Sequence, residues 1–180
     1  GRDYRMFVLN DQVVAAIERV PLSIIGNGKH SIEQLLEAKI ASISKREDNK
    51  IKPVSIVKEE IASHLKSHKF SDVLANSEVL IVQGVANLSK GGESIDVTDE
   101  VHPEITQRAI ALARLLRMDM CAVDVLSADI SKKPTEADTR FIEINIAPGF
   151  RGHYYPSVGK KRELAPLILD AIMEKRRKAK

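Results

Sequence analysis

Glu143 and Asn145 stand two apart in the run "RFIEINI", and Asp124 interrupts "CAVDVL" in the same way, so that oxygen-bearing side chains sit among apolar neighbours. A carboxylate in an apolar strand is costly unless it is paired, hydrogen-bonded or bound to a metal. Phe141, Ile142, Ile144 and Ile146 read as a strand entering an apolar core. Strand side chains alternate faces, which puts Glu143 and Asn145 on one side and Ile142, Ile144 and Ile146 on the other. If the two runs pair as a hairpin, Asp124 joins them when it lies opposite or diagonal on that face. Two carboxylates and an amide oxygen are the hard oxygen donors that Mg2+ takes, with waters or substrate phosphates completing the shell. The competing reading pairs each acid with a Lys or Arg at the sheet margin, and spacing alone leaves both open.

Other residues invite a chemical reading with less force. Asn87, Ser89, Gly91 and Gly92 belong to "NLSKGG", where glycines would let backbone amides approach an anion; a plain hairpin turn is the alternative. "GNGKH" lacks the spacing of a phosphate loop and reads as a turn into a helix. Arg151, in "APGFRGHYYPS", follows the Glu-x-Asn pair closely enough to meet a substrate carboxylate. His102 and His153 read as exposed loop residues, and the five histidines show no ligand spacing, so no zinc site is expected.

These residues need elements to hold them. "DYRMFVL" and "QVVAAIERV" read as a hairpin turning at Asn10 and Asp11. Ser31 with Gln34 three residues on forms a capping box before Ile32, Leu35, Leu36, Ile40 and Ile43 at helical spacing. Val57, Ile61 and Leu65 mark a second helix; "EVLIV" reads as a short strand, and "SIDVTDEV" continues the strand order up to an acidic end that meets Pro103. Pro103 opens a helix carrying Ile105, Ala109, Leu112, Ala113 and Leu116. The strands bearing Asp124 and Glu143 follow, then a helix with Leu164, Leu167, Ile168, Ala171 and Ile172 on one face. The expected fold class is α+β, a largely antiparallel sheet with flanking helices and an inserted helical segment over residues 27–78.

The chain has 180 residues, 43% apolar and 29% charged, enough for one core. Its net charge of +3 comes from the basic tail at 174–180, without which 23 basic residues face 24 acidic ones. A solvated helix end explains that tail better than a nucleic-acid patch. No apolar run reaches membrane-spanning length and no leader is evident, so a cytoplasmic location is expected. The lone Cys121 lies among apolar residues and reads as a core thiol in a reducing compartment.

"GRDYRMFVLNDQVVAAIERVP", "GNGKHSIEQLLE", "ANLSKGGESIDVTDEVHPE", "AVDVLSADI" and "FIEINIAPGFRGHYYPSVG" closely resemble, in order, the C-terminal part of the ATP-grasp region of cyanophycin synthetase and its relatives. The wider family includes glutathione synthetase and the D-alanine ligases. The resemblance weakens from Lys45 to Ser77 and in the tail. It implies an enzyme that phosphorylates a carboxylate with ATP and lets an amine attack the acylphosphate, with amino acids or peptides as substrates. It implies Asp124, Glu143 and Asn145 as ligands of Mg2+, with Mn2+ as an alternative ion. Arg5 would grip the transferring phosphoryl group and Arg19 a second anion; by residue type alone Arg5 is an ordinary strand charge and Arg19 equally the partner of a salt bridge. Asn87, Gly91 and Gly92 would approach the phosphates, and Ser89 and Arg151 the acceptor. The family's phosphate-gripping lysines and adenine hinge lie upstream of the "DYR" strand where this chain begins. The isolated chain is therefore expected to lack an N-terminal lobe, to bind ATP weakly without turnover, and to expose apolar surface suited to self-association. The alternative is a non-catalytic binding module on the same fold; a weaker one has the tail bind an acidic polymer.

Overall fold

A computed structural model describes residues 1–47, 54–65 and 67–178. Two compact units emerge: residues 1–19 with 94–180, and residues 20–93, within which the expected inserted segment 27–78 falls.

The first unit is built on a five-stranded sheet in the order β5 (Glu93–Asp96), β2 (Gln12–Val20), β1 (Arg2–Leu9), β6 (Met120–Ser127), β7 (Thr139–Asn145). Strands β1 (Arg2–Leu9) and β2 (Gln12–Val20) form the opening hairpin. Its two-residue turn puts Asn10 and Asp11 at φ 45° and 62°, the left-handed pair that a tight hairpin demands and that Asn and Asp tolerate. Strand β6 (Met120–Ser127) runs antiparallel to β1 on its other side, and β7 (Thr139–Asn145) antiparallel to β6 at the sheet edge. Strand β5 (Glu93–Asp96) borders β2.

Alternation divides the sheet into two unlike faces. Tyr4, Met6, Val8, Ala16, Cys121, Val123 and Val125 pack with Ile105, Ala109 and Ala113 of helix α3 (Pro103–Leu115), which begins on Pro103 as expected. On the other face Phe7, Leu9 and Ala15 meet Leu164, Ile168 and Ala171 of helix α5 (Leu164–Lys178). Leu167 and Ile172, expected on that buried stripe, are exposed. Two residues before Phe7, on the same face of β1, apolar residues give way to Arg5 and Asp3.

The second unit packs Leu22, Ile24, Ile32, Leu36, Ile43, Ile61, Leu65, Leu74 and Val82 into its own core. Helix α1 (Ile32–Ser44) starts on the expected capping box, with both Ser31 and Gln34 side chains engaged; α2 (Lys58–His64) is short. The sequence reading missed strand β3 (Ser23–Ile25), which pairs antiparallel with β4 (Val79–Ile81). Three residues beside prolines and glycines give too little alternation to see. Ile25, Val79 and Ile81 of this small sheet lie exposed. "GNGKH" is a helix-entry turn, in which Asn27 Oδ1 accepts from the amides of Lys29 and His30 at 3.1 and 3.0 Å. Among the described residues no helix is long and apolar enough to cross a membrane.

Gly26 seats that turn on the core. A Cβ there would stand 2.1 Å from the Ala75 carbonyl and 2.6 Å from Leu74 Cβ, whereas one at Gly149 meets nothing within 4 Å. Gly26→Ala is therefore expected to destabilise by about 1–3 kcal/mol and Gly149→Ala by less than about 0.5 kcal/mol, as read by chemical denaturation.

Candidate metal and anion site

Glu143 and Asn145 share one sheet face as their spacing predicted, and Asp124 joins them there because it is the direct cross-strand partner of Glu143, while Ala122 faces Asn145. The same face carries Arg5, opposite Asp124, and the pair Asp3 and Arg19, which oppose each other across β1 and β2. Four strands thus deliver six polar side chains to one patch beyond the end of the apolar packing under α5.

The expectation that β7 drives its isoleucines into a core needs correction. The register slips between Asp124 and Val125, which pair with Glu143 and Phe141, so Ile142 is an extra residue outside the alternation. Ile142 and Ile146 are 56% and 68% exposed, and Glu143 is exposed too; only Phe141 and Ile144 pack against the core. An edge strand with a bulge buries one side of half its residues. Asp124, on an interior strand, is only 4% exposed.

The charge of Asp124 is answered by arginine. Arg5 Nε and Nη2 donate to Oδ1 and Oδ2 at 2.8 and 2.7 Å, a bidentate fork, and Arg19 Nη2 reaches Oδ2 at 3.1 Å. Arg19 spends its own fork on Asp3, at 3.1 and 2.6 Å. The hydrogen bonds from Arg5 to Asp124 raise the guanidinium pKa against the effect of burial, helped by the charges of Asp124, Glu143 and Asp3. The site is therefore a compact alternation of acids and forks, and Asp124 is paired with arginine, as the competing reading of the sequence has it.

The donors nonetheless suit a hard cation. They are all oxygens, and cross-strand partners lie with Cα atoms about 4.5–5.5 Å apart. Asp124 already draws guanidinium groups to both its oxygens, as a cation site would. Among the described residues no three His, Cys, Asp or Glu side chains cluster to hold a metal. A cation here depends on the amide of Asn145, whose Oδ1 accepts from the Ala147 amide at 3.0 Å, and on oxygens from water or phosphate.

In the second unit, the "NLSKGG" loop is closed on itself. Asn87 Oδ1 takes both the amide and the hydroxyl of Ser89, and the amides of Lys90, Gly91 and Gly92 go to loop carbonyls. Gly91 has φ +90°, and a Cβ on Gly92 would come within 2.9 Å of the Asn87 carbonyl. The glycines are needed for backbone approach within the loop, which meets the turn reading; in this conformation the amides from Ser89 to Gly92 face inward.

Arg151 opens the four-residue helix α4 (Arg151–Tyr154). His153, expected in an exposed loop, is buried instead at 1% exposure, edge-on to Phe7 with ring centroids 5.9 Å apart. Neither ring nitrogen has a partner among the described residues. His102 caps α3 by accepting from the Glu104 amide. The segment around His153 is tied down by a cluster that the sequence did not reveal. Arg162 forks onto Asp96 at 2.7–3.1 Å and reaches Asp99 at 2.9 Å, Ser94 Oγ donates to the Gly152 carbonyl, and the Arg162 amide donates to the His153 carbonyl. Hydrogen bonds from Arg162 and Lys160 hold the Asp99 carboxyl down to about 2.

The chain as a whole is similar in sequence and fold to known ligases. The chain is 37% identical over 176 residues to cyanophycin synthetase of Geminocystis herdmanii and 35% identical over 175 residues to that of Crocosphaera subtropica, and 30% identical over 176 residues to the glutathione biosynthesis bifunctional protein GshAB of Clostridium perfringens. Each match covers 96% of this chain, which spans only about 20–22% of the length of these relatives. A bifunctional glutathione synthetase from Pasteurella multocida superposes with a TM-score of 0.78 at 29% identity, over 97% of this chain and 25% of that one. No family model matches the chain. These likenesses bear out the resemblance and the α+β fold read from the sequence: the chain is related to a segment of the ATP-grasp ligases.

Burial, followed by the positive charge of Arg5 and partly opposed by Asp96, holds His153 down to about 4 from its ordinary 6.5. The unfolded chain therefore takes up a proton that the folded one refuses, and stability is lost as pH falls from 6.5 towards 4, by up to about 3 kcal/mol. His153→Phe is expected to flatten the slope of stability against pH in that window, measured by urea denaturation; an unchanged slope would assign the loss to other groups.

Proposed function

We propose that this chain forms the metal-binding and acceptor-side part of an ATP- and Mg2+-dependent carboxylate–amine ligase, acting through an acylphosphate on amino-acid or peptide substrates. The observation that carries the reading is the pairing of Asp124 with Glu143 beside Asn145, on the face where Arg5 and Arg19 converge. The relatives' names and the shared fold support the reaction class. Further parts of the active site would come from an N-terminal lobe, consistent with the fraction of the relatives that the chain spans.

In this reading Asp124, Glu143 and Asn145 hold Mg2+, with Mn2+ as a substitute. The metal supplies charge neutralisation and alignment of the ATP phosphates. A substrate carboxylate oxygen attacks the γ-phosphorus and ADP leaves. The amine then attacks the acyl carbon, phosphate departs, and the amine loses a proton to give the amide. Arg5 meets the transferring phosphoryl group with a planar fork, and Arg19, fixed by Asp3, holds a second anionic position. Arg151 would receive the acceptor's carboxylate. The "NLSKGG" loop, with Asn87, Ser89, Gly91 and Gly92, would reach the phosphates and acceptor after releasing some of its internal hydrogen bonds. The reading carries with it the cytoplasmic setting expected from the sequence. The closed Arg5–Asp124 fork also favours a second reading, a non-catalytic module in which that pair is purely structural.

Activity separates the two. In a protein carrying this chain with its complementary lobe, Asp124→Asn and Glu143→Gln should each lower substrate-dependent ADP release at least about a hundredfold, with circular dichroism unchanged. Retention of most of the turnover in both variants would leave the binding module as the better reading.

A further inference from the structure

We infer that Arg5 is an exchangeable counter-ion of Asp124: it holds the carboxylate until a divalent cation binds, and its displacement by the metal turns the guanidinium towards the anionic substrate. This rests on the metal site proposed above and adds a coupling between metal and anion.

The two arginines on Asp124 are not equivalent. Arg5 directs its fork at both carboxylate oxygens, 2.8 and 2.7 Å, and among the described residues its side chain makes hydrogen bonds to Asp124 alone. Arg19 gives Asp124 one nitrogen at 3.1 Å and keeps its fork on Asp3. A cation that takes Asp124 near 2.0–2.1 Å, the Mg2+ distance, with its own geometric demands, competes with the Arg5 fork for the same two oxygens. Arg19 retains a partner after that exchange, and Arg5 does not. Among the described residues, the other acids near Arg5 are already engaged or would be. Asp3 is engaged by Arg19, Asp96 by Arg162 and Thr98, and Glu143 would be on the metal. On the packed side lies His153, buried and edge-on to Phe7, which follows Arg5 by two residues on the same face of β1. A displaced guanidinium, charged and cut off from carboxylates, is left to pair with an incoming phosphoryl or carboxylate group. Because coupling between sites is reciprocal, a phosphate held by Arg5 must strengthen metal binding by the factor with which metal strengthens phosphate binding.

The test is an NMR titration of the 180-residue chain with MgCl2, following the Arg5 Nε–H signal and the side-chain carboxylate carbons of Asp124 and Glu143, without and with inorganic phosphate. Exchange requires all three signals to move along one binding curve. It also requires phosphate to bind about tenfold more tightly in the presence of metal, within the usual range for coupled sites. Carboxylates that respond while Arg5 stays fixed would overturn the exchange and leave the metal site standing. No response of the carboxylates at saturating metal would overturn both. As an independent check, Arg5→Met, or Arg5→Lys if the first does not fold, should tighten Mg2+ binding about tenfold, whereas Arg140→Met, which removes an equal charge that does not touch Asp124, should leave it near the wild-type value. Equal effects of the two substitutions would reduce the Arg5 contribution to general electrostatics and refute the exchange.

Discussion

A carboxylate 4% exposed on an interior strand of a sheet must be answered, and the first unit is arranged around how Asp124 is answered. A fork from the neighbouring strand covers both its oxygens, and a second arginine, itself held by Asp3, shares one of them. Removing one partner of such a buried pair is costly, whereas the intact pair adds little net stability over apolar packing. A buried ion pair retained under those terms suits a device whose partners can be exchanged better than a simple brace.

The rest of the unit sets the position of that pair. Strand β1 lies at the centre of the sheet and changes character along one face, from Leu9 and Phe7 under α5 to Arg5 and Asp3 beyond it. The antiparallel register then aligns Arg5 with Asp124 and Asp124 with Glu143 across three strands. On the apolar side of the patch, the segment that carries His153 is fastened through Asp96, Ser94 and Arg162. Gly159, at φ +94° with its missing Cβ 2.8 Å from Asp96 Cβ, lets that segment lie close to β5. The "DVTDEV" and "PSVG" stretches therefore meet each other in space, and part of their role is to fix the loop that follows the Glu-x-Asn strand.

Much of this was legible in the sequence because it depends on alternation and local turns. The hairpin at Asn10 and Asp11, the capping box of α1, Pro103 at the head of α3 and the shared face of Glu143 and Asn145 all follow from nearest-neighbour rules, while Asp124 joins that face through the cross-strand register. What failed depends on long-range packing. A bulge cannot be read from "RFIEINI", so Ile142 was assigned to a core that it does not enter. His153 lies in a polar, Gly- and Pro-containing stretch that looks like an exposed loop, and only Phe7, far away in sequence, explains its burial. Arg162 and Asp96 are each unremarkable until the fold brings them within 2.7 Å. Asp3 could have been found, since it sits two residues before Arg5 and so on the same strand face.

The central claim is that Asp124 serves both a guanidinium and a metal. It is tested most directly by a crystal structure of a protein carrying this chain with Mn2+ and a non-hydrolysable ATP analogue, in which anomalous scattering locates the metal. The account requires Mn2+ bound by Asp124, Glu143 and Asn145, with the Arg5 fork moved off Asp124 and onto phosphate oxygens. Metal bound elsewhere, with the bidentate Arg5–Asp124 pair intact, would contradict it.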